Sequence, residues 1–224
     1  MLTPINPTTG SALTEVPSLS SEQASALIDC AVAAAPAWAI LSYKERGQYL
    51  LNIAELMRKN KDELARLMAE EMGKPLREGL GEVEKAASCA EYYADNGEAF
   101  LASEFLQSDA RDSYVCHQPL GTVLGILPWN APIWLALRFL GPALMSGNTC
   151  VMKPDPNVPA TAALLTQIFQ QVLPAGVMEN LMVETELVGE AIDHLGMKAI
   201  SFTGSSLAAR NVAARVASVI KPVV

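Results

Sequence analysis

The segment TVLGILPWNAPIWLALRFLGPALMSGNT, residues 122–149, decides the fold because it is long, apolar and interrupted by proline. It contains one formal charge, Arg138, and three prolines, Pro128, Pro132 and Pro142. About 20 uncharged residues can span a bilayer, but proline cannot donate to a helix ladder and divides this segment into a short strand and a separate helix. A continuous apolar strand is typical of a parallel sheet that is covered on both faces. We therefore expect a buried sheet and no membrane span.

From this segment onward, predicted strands and helices alternate along the chain. The predicted strands are TVLGIL, TCVMKP, NLMVE and KAISFTG, and the helices that follow them are PIWLALRFLGPALMSG, PATAALLTQIFQQVL, ELVGEAIDHLG and SLAARNVAARVA. Such alternation favours right-handed βαβ units and an α/β fold with a doubly wound parallel sheet. The final KPVV looks like the start of another strand.

The first hundred residues are predicted to be helical. Two helix starts have capping-box spacing, Ser20 with Gln23 and Ser42 with Glu45. Apolar residues then recur at helical spacing and predict one buried stripe; they are Leu50, Ile53 and Met57.

Composition and charge exclude some classes of protein. The chain has 224 residues, of which 50% are hydrophobic and 18% charged, which is enough to bury a sizeable core. A net charge of -8 without a basic run argues against a nucleic-acid partner. The N-terminal MLTPINPTTG lacks the positive start and apolar core of a secretory signal, so we expect a cytoplasmic protein.

The cysteines and histidines predict no metal site. Four cysteines are widely spaced without a CxxC pair, and two histidines form no ligand cluster with them. We expect four reduced, mostly buried thiols.

Ligands of open α/β sheets bind at the carboxyl ends of the strands, so the strand-to-helix junctions are the candidate site. In SFTGSS, Gly204 and Ser205 can present free backbone N–H groups and the positive end of a helix dipole to a phosphate. A plain N-cap with a tight glycine turn is the alternative. Lys153, at the end of the second strand, is either a solvated charge or a donor to ribose hydroxyls.

The LPWNAP turn carries a third candidate. Pro128 and Pro132 stiffen both sides of the turn and would hold the Asn130 carboxamide in a fixed direction. A fixed N–H donor is what a developing oxyanion requires. A simple capping role for Asn130 is equally compatible with the tripeptide.

The order of motifs resembles that of the NAD(P)-dependent aldehyde dehydrogenases, and most closely the succinate-semialdehyde dehydrogenase branch. The motifs are EMGKP (71–75), PLGTVLGILPWNAP (119–132), GPALMSGNTCVMKP (141–154), PAGVMENLM (174–182) and ISFTGSS (200–206). The resemblance implies the Rossmann-like cofactor domain of that family, with NAD or NADP as the cofactor. This family binds its dinucleotide without the GxGxxG fingerprint, which is also absent here.

The resemblance implies roles for individual residues. Asn130 matches the oxyanion-hole asparagine, and Lys153 matches the lysine that contacts the adenosine ribose. NAD-preferring members often carry a glutamate where this chain has Pro156, so NADP should be tolerated. The positions that match the family's cofactor site are Ile126, Leu127, Pro128, Trp129, Asn130, Lys153, Pro156, Phe202, Thr203, Gly204 and Ser205.

The resemblance also suggests an explanation for the lone arginine of the opening segment. Arg138 lies four residues after Trp134, so one helical face carries both side chains. In the semialdehyde branch an arginine at this position meets the distal carboxylate of the substrate, for which a guanidinium is a bidentate partner. The alternative is a helix-end arginine that reaches solvent or a neighbouring carboxylate.

By this resemblance the chain has three parts. Residues 1–100 form the N-terminal helical part of the cofactor domain, 101–119 an oligomerisation hairpin and 120–224 the Rossmann-like NAD(P)-binding part. The nucleophilic cysteine and general-base glutamate of the family would follow Val224, so we expect an N-terminal fragment that is inactive alone.

Two function classes remain open from the sequence. The first is half of an enzyme, a homo-oligomer in its intact form, that oxidises a small carboxylated aldehyde such as succinate semialdehyde. The second is a non-catalytic module for cofactor binding or oligomerisation.

Overall fold

The structure, a computed structural model, describes residues 1–224. Four helices occupy most of the first hundred residues: α1 (Ser21–Ala39), α2 (Tyr43–Lys59), α3 (Lys61–Met72) and α4 (Leu76–Phe100). Both predicted capping boxes are present, at Ser20 and at Ser42. The predicted apolar stripe of α2 is fully buried, which confirms that these helices pack through it.

A short hairpin follows the helices. Strand β1 (Glu104–Phe105) pairs antiparallel with β2 (Tyr114–Val115), inside the range predicted for a hairpin. All four strand residues are exposed, so the hairpin projects from the rest of the chain.

The remaining residues alternate between strand and helix as predicted. The elements are β3 (Thr122–Ile126), α5 (Pro132–Met145), β4 (Thr149–Lys153), α6 (Pro159–Gln170), β5 (Met178–Asn180), a 3-10 turn (Thr185–Leu187), α7 (Val188–Asp193), β6 (Met197–Phe202) and α8 (Ser206–Ser218). The apolar segment is divided as predicted: strand β3 ends at Ile126, and helix α5 begins at Pro132 and has only 14 residues. No helix of the structure combines the length and apolarity needed to cross a membrane.

The four strands β3 to β6 form one parallel sheet in the order β5-β4-β3-β6. The strand order reverses at β3, which is the topological switch point of a Rossmann-like sheet. The predicted α/β fold is therefore confirmed. The final KPVV runs beside β6, where Val224 N donates to Ile200 O at 3.1 Å, so the predicted extra strand begins there.

The third strand of this sheet was predicted two residues too late. The strand is Met178–Asn180 and not residues 180–184, because Met178 and Asn180 pair with β4. After Asn180 the backbone closes tight turns, in which Val183 N donates to Leu181 O at 3.0 Å, and leaves the sheet. Leu181 and Val183 are apolar because they are buried in a core, and not because they pair.

Two hydrophobic cores cover the two faces of the sheet. Side chains alternate between the faces along a strand, so Cys150 and Met152 of β4 join the core with α2 to α6, and Val151 joins the core with α1, α7 and α8. Every residue of β3 and β4 is buried. This two-sided burial explains the continuous apolar runs of the sequence.

The cysteines are less buried than predicted. Cys150 is fully buried in β4 and Cys89 is half-buried, but Cys30 and Cys116 are exposed. Cys30 lies on the outer side of α1 and Cys116 follows the exposed hairpin, so neither faces a core. All four are free thiols, and no group of three or more His, Cys, Asp or Glu side chains is arranged to hold a metal ion.

Candidate functional site

The carboxyl ends of β3, β4 and β6 enclose a cleft of about 880 Å³. Sites for small molecules and cofactors have volumes of roughly 300–1,000 Å³. The cleft lies beside the switch point, where Thr203 N donates to Ile126 O at 3.0 Å and joins the loops after β6 and β3. Its lining includes every position predicted for the cofactor except Asn130: Ile126, Leu127, Pro128, Trp129, Lys153, Pro156, Phe202, Thr203, Gly204 and Ser205.

Lys153 is the most unusual residue of this cleft. It ends β4 and is only 5% exposed, yet its ammonium group has no hydrogen bond and no ion pair. Burial lowers the pKa of Lys153 from its usual 10.5, and the nearby Asp155, Glu184 and Glu186 oppose that shift. A largely buried cation without a partner in the chain costs free energy. The cleft therefore contains a hydrogen-bond donor that is free to bind a ligand.

The start of α8 forms another wall of the cleft. Ser205 is the N-cap, and its hydroxyl accepts a hydrogen bond from Ala208 N at 3.3 Å, as the capping alternative predicted. The N–H groups of Ser206 and Leu207 have no acceptor in the chain. A cap and an anion-binding helix end are thus compatible here, because a cap satisfies only one of the free N–H groups.

The Asn130 turn lies between β3 and α5, beside the cleft. Asn130 is exposed, and its carboxamide makes no hydrogen bond within the chain. The N-cap of α5 is Ala131 and no side chain caps the helix locally, so the capping alternative for Asn130 is wrong. Trp129 lines the cleft and Asn130 does not, so the role of Asn130 in cofactor or oxyanion binding stays a prediction.

A buried carboxylate that the sequence did not reveal supports this turn. Glu82 of α4 is 8% exposed, and its Oε1 accepts from Ile133 N at 2.9 Å and Trp134 N at 3.0 Å. Its Oε2 forms an ion pair with Lys74, whose ammonium also donates to the Asn130 carbonyl at 3.0 Å. Glu82 therefore caps α5 from another helix. In the sequence, the only signal for this cap is that the N-cap position of α5 holds alanine, which has no capping side chain.

Helix α6 is capped in the same way. Its N-cap residue is Val158, which has no capping side chain. Instead Glu71 of α3, 4% exposed, accepts from Ala160 N at 2.6 Å, Thr161 N at 2.9 Å and Thr161 Oγ1 at 2.6 Å. Burial raises the pKa of Glu71, and these hydrogen bonds oppose the rise. Glu71 and Lys74 both belong to the EMGKP motif, so this motif supports the helices that follow β3 and β4.

Arg138 and Trp134 lie outside the cleft, against α4. The Trp134 ring lies 4.1 Å from the Lys85 ammonium, and Arg138 is near the half-buried Cys89. Arg138 is exposed and has no ion pair. It lines a separate groove of about 420 Å³ in which it is the one charged side chain. Of the two alternatives to a substrate role, a neighbouring carboxylate partner is not observed, whereas an arginine that reaches solvent agrees with the structure. A substrate role for Arg138 stays a prediction.

Comparison with known proteins gives similarity along the whole chain. The model of the aldehyde dehydrogenase family matches residues 2–224. A succinate-semialdehyde dehydrogenase of Deinococcus radiodurans, named for NADP(+), is 38% identical over 210 residues, which cover 93% of this chain and 44% of that protein. A glutarate-semialdehyde dehydrogenase of Pseudomonas putida is 37% identical over 97% of this chain and 46% of its own length.

A solved structure has the same fold. The succinic semialdehyde dehydrogenase of Streptococcus pyogenes, in complex with NADP+, superposes with a TM-score of 0.95 at 26% identity. The match covers 100% of this chain and 50% of that structure. This chain thus spans about half the length of the relatives it matches.

Proposed function

The chain belongs to the aldehyde dehydrogenase family, and we propose that it forms the dinucleotide-binding part of an enzyme that oxidises a carboxylated aldehyde with NADP or NAD. The observation that carries the proposal is Lys153, a largely buried lysine that lines a cleft of cofactor size and whose ammonium has no partner in the chain. Ribose hydroxyl oxygens accept hydrogen bonds, so a bound dinucleotide supplies the partner that the chain does not. The match to dehydrogenases does not favour the alternative of a non-catalytic module.

The start of α8 is the proposed pyrophosphate contact. Helices α5, α6 and α8 each begin at this edge of the sheet, but the first turns of α5 and α6 already hold the carboxylates of Glu82 and Glu71. The N–H groups of Ser206 and Leu207 are free, and α8 lines the cleft. A phosphate is favoured where free N–H groups and the positive helix end coincide.

The proposal includes acceptance of NADP. Pro156 brings no carboxylate to the cleft at the position where the family's NAD-preferring members have one. A carboxylate there would repel a 2′-phosphate, so its absence removes one barrier. The names of relatives that specify NADP(+) support this assignment.

Asn130 and Arg138 are the proposed contacts of the substrate. The Asn130 carboxamide has no partner in the chain and can donate its N–H to the oxygen that becomes negatively charged when an aldehyde is attacked. Arg138, on the helix that begins after this turn, can receive the distal carboxylate of a semialdehyde. The succinate and glutarate names of the relatives support a carboxylated substrate and differ in its length.

Oxidation requires a thiol that this chain does not place in the cleft. None of its four cysteines lines the cleft, and burial raises the pKa of both Cys89 and Cys150. We therefore propose that these 224 residues bind the dinucleotide without oxidising aldehydes on their own. Sustained NADPH formation from an aldehyde and NADP by the purified chain contradicts this part of the proposal.

Calorimetric titration of the purified chain with NADP and with NAD tests the cofactor site. Lys153→Met should weaken binding at least about tenfold, because one hydrogen bond from a charged donor is lost. Lys198→Met is the matched control, since Lys198 is exposed on β6 and does not line the cleft. Equal affinities of the two variants contradict the assignment.

Steady-state kinetics of an active enzyme that carries this segment test the role of Arg138. Arg138→Ala should raise KM for succinate semialdehyde about tenfold or more and leave KM for butanal, an uncharged aldehyde of equal length, nearly unchanged. Equal effects on both substrates leave Arg138 without a carboxylate-binding role.

We also propose that the hairpin β1–β2 joins copies of the chain. Phe105 and Tyr114 pack on each other at 5.8 Å between ring centroids, and both are exposed beside Leu106 and Val115. Exposed apolar groups of this kind mark interfaces. In sedimentation velocity, Phe105→Ser should weaken association more than Ile40→Ser, a change at another exposed apolar residue. A monomeric wild-type chain contradicts the proposal.

A further inference from the structure

We propose that the ion pair of Lys74 and Glu82 is a positioning device for the Asn130 turn. The pair holds the peptide that follows Asn130 and the first turn of α5 together, so the carboxamide leaves the backbone in one direction. Its importance for catalysis rests on the proposed role of Asn130. The positioning itself is a property of this chain and can be measured without substrate or cofactor.

Glu82 anchors the start of α5. Its Oε1 accepts from two consecutive N–H groups, Ile133 and Trp134, and Ile133 is fully buried. Because Ala131 offers no capping side chain, these N–H groups have no other acceptor. The start of the helix is therefore held by α4, 51 residues earlier in the chain.

Lys74 joins Glu82 to the Asn130 turn. Its ammonium contacts Glu82 Oε2 and donates to the Asn130 carbonyl at 3.0 Å. The Lys74 side chain is 11% exposed and that of Glu82 7%, so water competes little for either group. Lys74 thus connects the backbone of Asn130 to the Glu82 carboxylate, which belongs to α4 and binds the start of α5.

No hydrogen bond within the chain restrains the Asn130 carboxamide itself. Asn130 is exposed, and its side chain has no hydrogen bond within the chain. Its direction therefore depends on the backbone from which it projects. Displacement of a catalytic group by about 1 Å can cost about 100-fold in rate, so the restraint of that backbone matters.

Glu71 provides a comparison within the same molecule. It caps α6 from α3 with three hydrogen bonds, but no lysine joins it to the backbone of a candidate catalytic residue. If any buried cap were sufficient, a change at Glu71 would affect Asn130 as well. The proposal requires that it does not.

Nuclear magnetic resonance relaxation of the 15N-labelled 224-residue chain tests the proposal, with Lys74→Met as the main variant. The order parameters of Asn130 and Ala131 should fall from about 0.85 in the wild type to below about 0.6. The amides of Ile133 and Trp134 should keep their protection from hydrogen exchange, because Glu82 still accepts from them. Lys74→Arg can donate to both partners and should restore the wild-type values.

Two further variants, Glu82→Gln and Glu71→Gln, are measured in the same way. Glu82→Gln keeps an acceptor for the α5 amides but removes the charge that holds Lys74, so it should resemble Lys74→Met at Asn130. Glu71→Gln should leave Asn130 unchanged and should speed exchange only at Ala160 and Thr161, about tenfold. If Lys74→Met does not fold, the difference between Glu82→Gln and Glu71→Gln at Asn130 tests the positioning role instead.

Two outcomes overturn the proposal: wild-type order at Asn130 in both Lys74→Met and Glu82→Gln, or equal loss of order in Glu71→Gln.

Binding of NADP is measured on the same samples. Lys74→Met should change the dissociation constant less than twofold, because Lys74 does not line the cleft. A wild-type chain that binds no NADP contradicts the proposed function and leaves the relaxation result to decide the positioning role.

Discussion

Buried charged side chains have partners at the starts of α5 and α6 but lack one in the cleft beside them. Glu71 and Glu82 are almost fully buried, and all of their carboxylate oxygens have partners. Helix N–H groups donate to both oxygens of Glu71 and to Oε1 of Glu82, and Lys74 pairs with Oε2 of Glu82. Lys153 is buried to the same degree, lies at the same edge of the sheet and has no partner.

We interpret this difference as one between residues that stabilise the fold and a residue that is proposed to contact the dinucleotide. A buried charge with its hydrogen bonds made is expensive to disrupt, whereas a buried charge without them lowers the stability of the chain. Sites for ligands commonly reduce stability in this way. Substitutions on the two sides should therefore change stability in opposite directions.

The largest effect is expected for Glu82→Ala. The change removes the counter-charge of the Lys74 ammonium and leaves two helix N–H groups without an acceptor, so the free energy of unfolding should fall by about 3–4 kcal/mol. Urea denaturation measures it. A loss below about 1 kcal/mol means that the pair does not support the fold.

Glu71→Ala should follow, with a loss of about 2–3 kcal/mol. Three donors lose their acceptor, but no buried ion is left unpaired. Glu70→Ala is the control, because Glu70 precedes Glu71 and forms an exposed ion pair with Arg66. Its loss should stay below about 1 kcal/mol, and a similar loss in both variants contradicts the capping role of Glu71.

Lys153→Met should stabilise the chain by about 1 kcal/mol, although it should weaken the proposed binding of a dinucleotide. Methionine fills a similar volume and removes a buried, unpartnered charge. Thermal or urea unfolding at neutral pH measures the gain, with Lys198→Met as the neutral control. Destabilisation by Lys153→Met means that Lys153 already has a stabilising partner.

The difference in stability between the wild type and Lys153→Met should depend on pH. The pKa of Lys153 is lowered from 10.5 in the folded chain, so between its folded value and 10.5 the unfolded chain binds more protons. The wild type should therefore gain stability relative to Lys153→Met as pH rises toward 10.5. The advantage of the variant shrinks over this window, and a constant difference contradicts the lowered pKa.

The smallest effect is expected for Ser205→Ala. The hydroxyl caps α8 at an exposed position through one hydrogen bond of 3.3 Å, so stability should fall by only about 0.5–1 kcal/mol. This loss of stability should be smaller than the losses in Glu71→Ala and Glu82→Ala. A loss as large as those means that the first turn of α8 depends on its cap as strongly as the first turns of α5 and α6 do.

Much of the fold was predictable from local pattern. The alternation of apolar runs and helix periods placed all four strands of the parallel sheet, and the capping boxes at Ser20 and Ser42 marked two helix starts. The error of two residues at β5 arose because buried residues after the strand are as apolar as paired ones. The cleft was predictable because the carboxyl ends of parallel strands meet at one edge.

The remote caps were not predictable in this way. Glu71 and the Ala160 N–H group that donates to it are 89 residues apart in the chain, and nothing in the local spacing of EMGKP indicates that its glutamate and lysine face other helices. The lone charge of the opening segment illustrates the same limit. Arg138 was recognised as unusual, but its groove is formed with residues of β6 and the C-terminus.

The sequence by itself determined the order of strands and helices, the proline break at Asn130 and the family. These features depend on periodicity and on the chemistry of neighbouring residues, which a linear pattern records. Only the tertiary structure decided which buried charges are satisfied, at Glu71 and Glu82, and which is left open, at Lys153. A hydrogen bond needs its donor and acceptor within about 3 Å, and for residues far apart in the chain that distance exists only after folding.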